Sequence, residues 1–155
     1  MPDHRRAGAA VLSPPLGRDR IAALVPHAGS MCLLDRVESW DAECILCAAT
    51  SHRDPANPLR RAGRLSAVCG VEYALQAMAL HGALTAAGEA QPAGFLASLR
   101  ELTLGAATLD GVAGELRVSA TALARESRAF AYDFEVSAGE GRLLSGHAVI
   151  MLPVA

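Results

Sequence analysis

The 155-residue chain contains no lysine, and all fourteen of its strongly basic side chains are arginines. That excludes Schiff-base chemistry on a lysine amine and a Walker-type phosphate loop, which needs its Lys. Aromatic residues are also scarce, at 4% of the chain, so the core has to be assembled from Ala, Leu and Val. Such small side chains suit a helix lying close against a sheet. There is no basic excess either. A net charge of −2 and a pI of about 6.2 make nucleic acid and anionic membrane poor partners. Nothing after Met1-Pro-Asp-His-Arg-Arg6 resembles the apolar run of a signal peptide. What is abundant is apolar: 52% of residues against 19% charged, which argues for order outside the ends. The length fits one domain.

The four cysteines are Cys32, Cys44, Cys47 and Cys69. Cys44 and Cys47 have the spacing of half a metal site, but Glu43 to Thr50 reads as a strand, on which residues three apart face opposite ways. No second Cys/His pair stands at zinc spacing, so the expectation is free buried thiols and no metal. Reduced thiols and the absent signal peptide point to the cytoplasm.

Residues 1–18, rich in Pro and Gly without periodicity, read as a flexible N-terminal tail, and residues 19–155 as a single domain. Asp19 caps a short helical turn to Leu24, which Pro26-His27-Ala28-Gly29 breaks. Strands are expected at 31–41, 43–51, 94–105, 114–125, 128–138 and 142–152, and one long helix at 66–87. Phe130, Tyr132, Phe134 and Val136 alternate with Ala131, Asp133 and Glu135, as a half-buried strand requires, and Leu116, Val118, Ala120 and Ala122 repeat the pattern. One apolar helix among six antiparallel strands is an α+β arrangement, best buried by curling the sheet around the helix.

In that helix Val68, Val71, Leu75, Met78 and Gly82 follow the i, i+3, i+4 rule and form a stripe expected to face the core. Ala74, Ala77 and Leu84 make the reverse side apolar too. Glu72, Gln76 and His81 interrupt the run, which argues against a membrane span. Glu72 is the one normally ionised side chain of the helix. A lone carboxylate in such a setting is costly unless paired and tends toward a raised pKa. Two readings stand: a catalytic acid or base, or an ion pair with an arginine such as Arg100. Gln76, one turn on, is placed either to hold the carboxylate or to make a subunit contact. Of the other candidates, His81 reads as a packed core residue, His147 as a surface or edge group, and Ser66 as an N-cap. Arg60, Arg61 and Arg64 form either a solvated loop or a small basic lip for a phosphate or an acidic carrier.

The run Ile21 to Val37, with its Leu-Val-Pro-His and its Leu-Leu-Asp-Arg-Val, resembles the opening of bacterial 3-hydroxyacyl-[acyl-carrier-protein] dehydratases. Glu72-Tyr-Ala-Leu-Gln-Ala77 is similar to the Glu-x-x-x-Gln of their central helix. Asn57-Pro-Leu, Gly63-Arg-Leu and Gly70-Val-Glu-Tyr73 resemble in particular the dehydratase-like proteins of aryl-polyene and related pigment pathways. The likeness covers roughly residues 20–152 and implies the hotdog fold, an antiparallel sheet of about six strands wrapped around one long helix. It implies dehydration of a 3-hydroxyacyl thioester to a trans-2-enoyl thioester, on acyl carrier protein or CoA, in fatty-acid or polyene-type biosynthesis. It implies no cofactor on the protein, since the substrate carries its own phosphopantetheine arm. It also implies a homodimer, or a heterodimer with another hotdog chain.

Transferred residue by residue, Glu72 takes the place of the family's helix carboxylate. The partner histidine should lie about fourteen residues earlier, where this chain has Asn57-Pro58. His27 matches the family's Pro-His and is the expected substitute, with His52 the other. Asn57, Ala67 and Gln76 are expected to touch substrate, Ala67 through a backbone N–H at the helix start that polarises the thioester carbonyl. A hotdog acyl thioesterase and a non-catalytic partner of an active dehydratase are the alternatives.

Overall fold

The computed structural model describes residues 15–25, 29–86 and 94–153. Helix α1 spans Arg18–Leu24, followed by strands β1 (Arg36–Trp40) and β2 (Cys44–Ala49). Helix α2 spans Gly70–Thr85. The remaining strands are β3 (Phe95–Leu104), β4 (Leu116–Arg125), β5 (Ala129–Ala138) and β6 (Gly141–Met151). All six join one antiparallel sheet in the order β1-β2-β4-β5-β6-β3, and α2 packs on β2, β4 and β5. This is the hotdog arrangement. No helix among the described residues is long and apolar enough to cross a membrane.

The strands form where the alternation places them. Tyr132, Phe134 and Val136 of β5 are buried beside Leu116, Val118 and Ala120 of β4, while Asp133 points outward. Small residues let the helix approach closely: Ala74 and Ala77 are fully buried, as are Ala48 and Ala49 of β2. A Cβ on Gly70 would lie 2.4 Å from Leu144 Cδ2, so only glycine fits the start of α2 against β6 without moving that side chain. Each fully buried Leu, such as Leu80 or Leu116, contributes about 1.5–3 kcal/mol by its removal from water.

Three expectations are corrected. The first strand begins at Arg36 rather than Met31, because Gly29–Met31 forms a 3₁₀ turn and Leu33 donates its N–H to a side chain of α2. The tail does not extend to residue 18. Leu16 is buried and exchanges two backbone hydrogen bonds with Val37, at 3.0 and 2.9 Å. The fully buried side of α2 carries Tyr73, Ala74, Ala77 and Leu80 rather than the stripe read from the sequence. Of that stripe Val71, Met78 and Gly82 are buried, but Val68 precedes the α-helix and is 47% exposed, and Leu75 is half-buried. A helix apolar on every side offers no contrast from which to choose its core face.

The two sheet edges differ. Leu16 covers part of β1. The outer edge of β3 has no strand beside it among the described residues and exposes Phe95, Leu96 and Leu104. A bulge interrupts β3 between Arg100 and Thr103, where Glu101 adopts a φ of 54°.

Candidate active site

On α2, residues 72, 75, 79 and 82 step by three, four and three, which keeps Glu72, Leu75, Ala79 and Gly82 on one face over about 15 Å. A cavity of about 150 Å³ runs along that face. Leu24 of α1 and the sheet residues Phe95, Leu96, Phe130, Tyr132 and Ile150 supply the other walls. Three of the chain's six aromatic residues therefore line one cavity. A space of this size and lining accepts an apolar group about as large as benzene. Glu72 is the one carboxylate among the lining residues described, and it is half-buried.

Gln76 is fully buried below it. Its Oε1 accepts the Leu33 N–H at 2.9 Å, and its Nε2 donates to the Met31 carbonyl at 2.6 Å and to Glu72 Oε1 at 3.5 Å. The side chain is thus a clamp on segment 31–33 that also reaches the carboxylate. Its acceptor and both donors therefore already have protein partners.

Asn57 is likewise committed to protein partners. It is 6% exposed, donates from Nδ2 to the Ser51 carbonyl (2.9 Å) and to the Tyr73 hydroxyl (3.1 Å), and accepts the Leu59 N–H at 2.9 Å. Asn57, beside the Pro58 where the resemblance expects a histidine, here locks a loop. Ala67 is buried in a 3₁₀ turn, Ala67–Cys69, leading into α2, and its N–H donates to the Ala107 carbonyl at 3.0 Å. That donor is already used. Ser66 occupies the N-cap position but makes no side-chain capping bond.

His27 lies outside the described residues. His52 is fully buried, with Nε2 3.0 Å from the Val112 carbonyl. A carbonyl only accepts, so Nε2 carries the proton. Burial first, and then the neighbouring Arg53 and Arg60, hold the His52 pKa below the usual imidazole value against the opposing Val112 bond. His81 is fully buried at the far end of α2. Its Nε2–H donates to the Asp41 carbonyl at 2.9 Å, so its Nδ1 accepts from the Tyr132 hydroxyl at 2.9 Å. Burial lowers its pKa, and Arg125, 3.2–3.3 Å from both ring nitrogens, lowers it further. His147 pairs with Asp133 at 3.0 Å on the outer face of the sheet. None of these three histidines is among the described residues that line the cavity.

Arg100 is exposed and sits opposite His147 in the sheet register. Arg60 donates to the Gly63 and His52 carbonyls and Arg61 to those of Pro58 and Arg60, so two of the three loop arginines brace the loop itself. The cysteines are free thiols. Cys32 and Cys47 are buried as expected, whereas Cys44 is exposed and Cys69 half-buried. Burial pushes the Cys47 thiol up to about 12, which leaves it inert as a nucleophile at neutral pH. The Tyr73–Ser51–Asn57 cluster escapes sequence reasoning. Its one signal, a Tyr directly after the helix carboxylate, is visible only as part of the motif.

The profile of the ApeP-like family, described as ApeP dehydratase, matches residues 19–154. The chain belongs to the ApeP-like dehydratase family. A search of curated proteins finds no match. Among solved structures the chain resembles the dehydratase heterocomplex ApeI:P from Xenorhabdus doucetiae, with a TM-score of 0.76 and 21% identity over 91% of this chain and 93% of that one. It also resembles zebrafish thioesterase superfamily member 2 (TM-score 0.57, 13% identity, 96% and 95% covered). The thioesterase HI1161 of Haemophilus influenzae is a further likeness (TM-score 0.54, 12% identity, 75% and 76% covered). At these identities the structural likenesses show the fold alone, and the family match places the chain among the ApeP-like dehydratases.

Proposed function

We propose that this ApeP-like chain dehydrates a 3-hydroxyacyl thioester to the trans-2-enoyl thioester, on acyl carrier protein or CoA. The observation that carries the reading is one carboxylate, Glu72, set on a helix at an apolar cavity with an amide donor beneath it. Loss of water requires one group to take the C2 proton and another to protonate the departing C3 hydroxyl. The Glu72 carboxyl delivers the proton to the hydroxyl, which leaves as water as the C2–H electron pair forms the C2=C3 bond. His27, from the Pro-His that matches the family, takes the C2 proton. The aromatic walls favour an unsaturated acyl chain, as polyene-type biosynthesis would present.

The exposed β3 edge supports pairing with a second hotdog chain, a copy or a paralogue, since a free apolar edge is a template for a further strand. The ApeI:P relative is itself a heterocomplex.

The test is hydroxyacyl-carrier-protein dehydration by the full chain, alone and mixed with a second hotdog dehydratase subunit. Glu72→Gln and His27→Ala should each lower the rate by about 10²–10⁴-fold with the fold retained. Free-acid release instead of enoyl product would install the thioesterase reading. Full activity in Glu72→Gln would overturn the assignment of the carboxylate. Activity found only in the mixture, and unaltered by either substitution, would make this chain a non-catalytic partner.

A further inference from the structure

Behind the cavity wall, a chain of hydrogen bonds connects a loop to the site carboxylate. Ser51 Oγ donates its single proton to the Leu33 carbonyl at 2.8 Å. The 2.7 Å contact between Ser51 Oγ and the Tyr73 hydroxyl must therefore be donated by Tyr73. With its own proton spent, the Tyr73 oxygen accepts from Asn57 Nδ2 at 3.1 Å. Leu33 is thus held at its carbonyl by this relay, while its N–H is held by Gln76 Oε1, and Gln76 Nε2 reaches Glu72. Tyr73 and Leu33 are both fully buried, so no water substitutes for a lost partner at low cost.

We propose that Tyr73 and Ser51 are positioning residues for Glu72. They hold Leu33 at the place from which Gln76 can orient the carboxylate. Neither hydroxyl lines the cavity, and the relay acts only through Leu33 and Gln76. The catalytic consequence rests on the dehydratase reading above, whereas the geometric one does not. Tyr73 stands next in sequence to Glu72 and about 100° around the helix, so one side chain faces the cavity while its neighbour anchors the same turn to the loop. The relay also accounts for Asn57: its side chain is committed to keeping the Tyr73 proton directed at Ser51.

The test uses the full chain with Tyr73→Phe, Ser51→Ala and Ser51→Thr. A core variant off the relay, Leu109→Val, serves as the control for general destabilisation. Two readouts need no turnover. Hydrogen exchange at the Leu33 amide should accelerate by about tenfold or more in Tyr73→Phe and Ser51→Ala. The ¹³C resonance of the Glu72 side-chain carboxyl should move in the same two variants and in the same direction. Ser51→Thr, which keeps the hydroxyl, should leave both as in the unmodified protein, and Leu109→Val should move neither. In the dehydration assay, kcat should fall by about tenfold with KM within twofold.

Unchanged Leu33 exchange, or an unmoved Glu72 carboxyl signal in Tyr73→Phe, overturns the relay. A moved signal with undiminished kcat overturns its role in positioning. Absence of enoyl formation by the unmodified protein, alone and with a partner subunit, counts against the dehydratase reading, and the two spectroscopic readouts then decide the relay by themselves.

Discussion

Lowering the pH from 7.5 to 5.5 should destabilise this protein through two histidines that take no part in the proposed chemistry. His52 and His81 are fully buried and each spends its Nε2–H on a backbone carbonyl. Burial is the main reason both pKa values lie below the ordinary value in the folded state. The unfolded chain, with imidazoles near 6.5, therefore binds protons that the native state refuses. Stability is fully present above about pH 7.5 and is lost as pH falls through the unfolded value, down to the depressed native one. If the native imidazoles stay neutral throughout, each contributes a loss of about 1.4 kcal/mol by pH 5.5, about 2.7 kcal/mol together. Urea unfolding at half-unit pH steps measures this directly. His81→Gln, which can still donate to the Asp41 carbonyl, should roughly halve the pH dependence. A flat stability between pH 7.5 and 5.5 would refute the reasoning, since it would mean that both rings accept protons in place.

Two further outcomes follow from the site. Gln76→Leu orphans the Leu33 N–H and the Met31 carbonyl, which at about 1–3 kcal/mol per buried polar group should lower Tm by about 5–15 °C in a melting scan; an unchanged Tm would mean that the clamp is not holding the segment. Ala79→Phe should fill the middle of the cavity and shift kcat/KM toward short acyl chains by about tenfold or more, read by comparing two chain lengths.

Much of the fold is legible in the chain. Alternation places β4 and β5 almost to the residue, because one face of each is buried and the period-two pattern is enforced by that burial. The long helix and its lone carboxylate are equally clear, since an ionised side chain stands out in an apolar run. The lack of lysine and of basic excess narrows the chemistry on composition alone.

What only the tertiary structure decided is which face of α2 meets the sheet and which meets the cavity. The helix is apolar all round, so its sequence carries no directional signal, and the expected core stripe through Leu75, Met78 and Gly82 lines the cavity instead. Asn57 and Ala67 look available because sequence shows a group's chemistry but not whether a partner far along the chain has already claimed it: Ala107 takes the Ala67 N–H, and Tyr73 takes the Asn57 amide. Hydrogen bonds of that range are set by how the sheet curls around the helix. Local propensity determines the elements, and packing determines which polar groups remain free to meet a substrate.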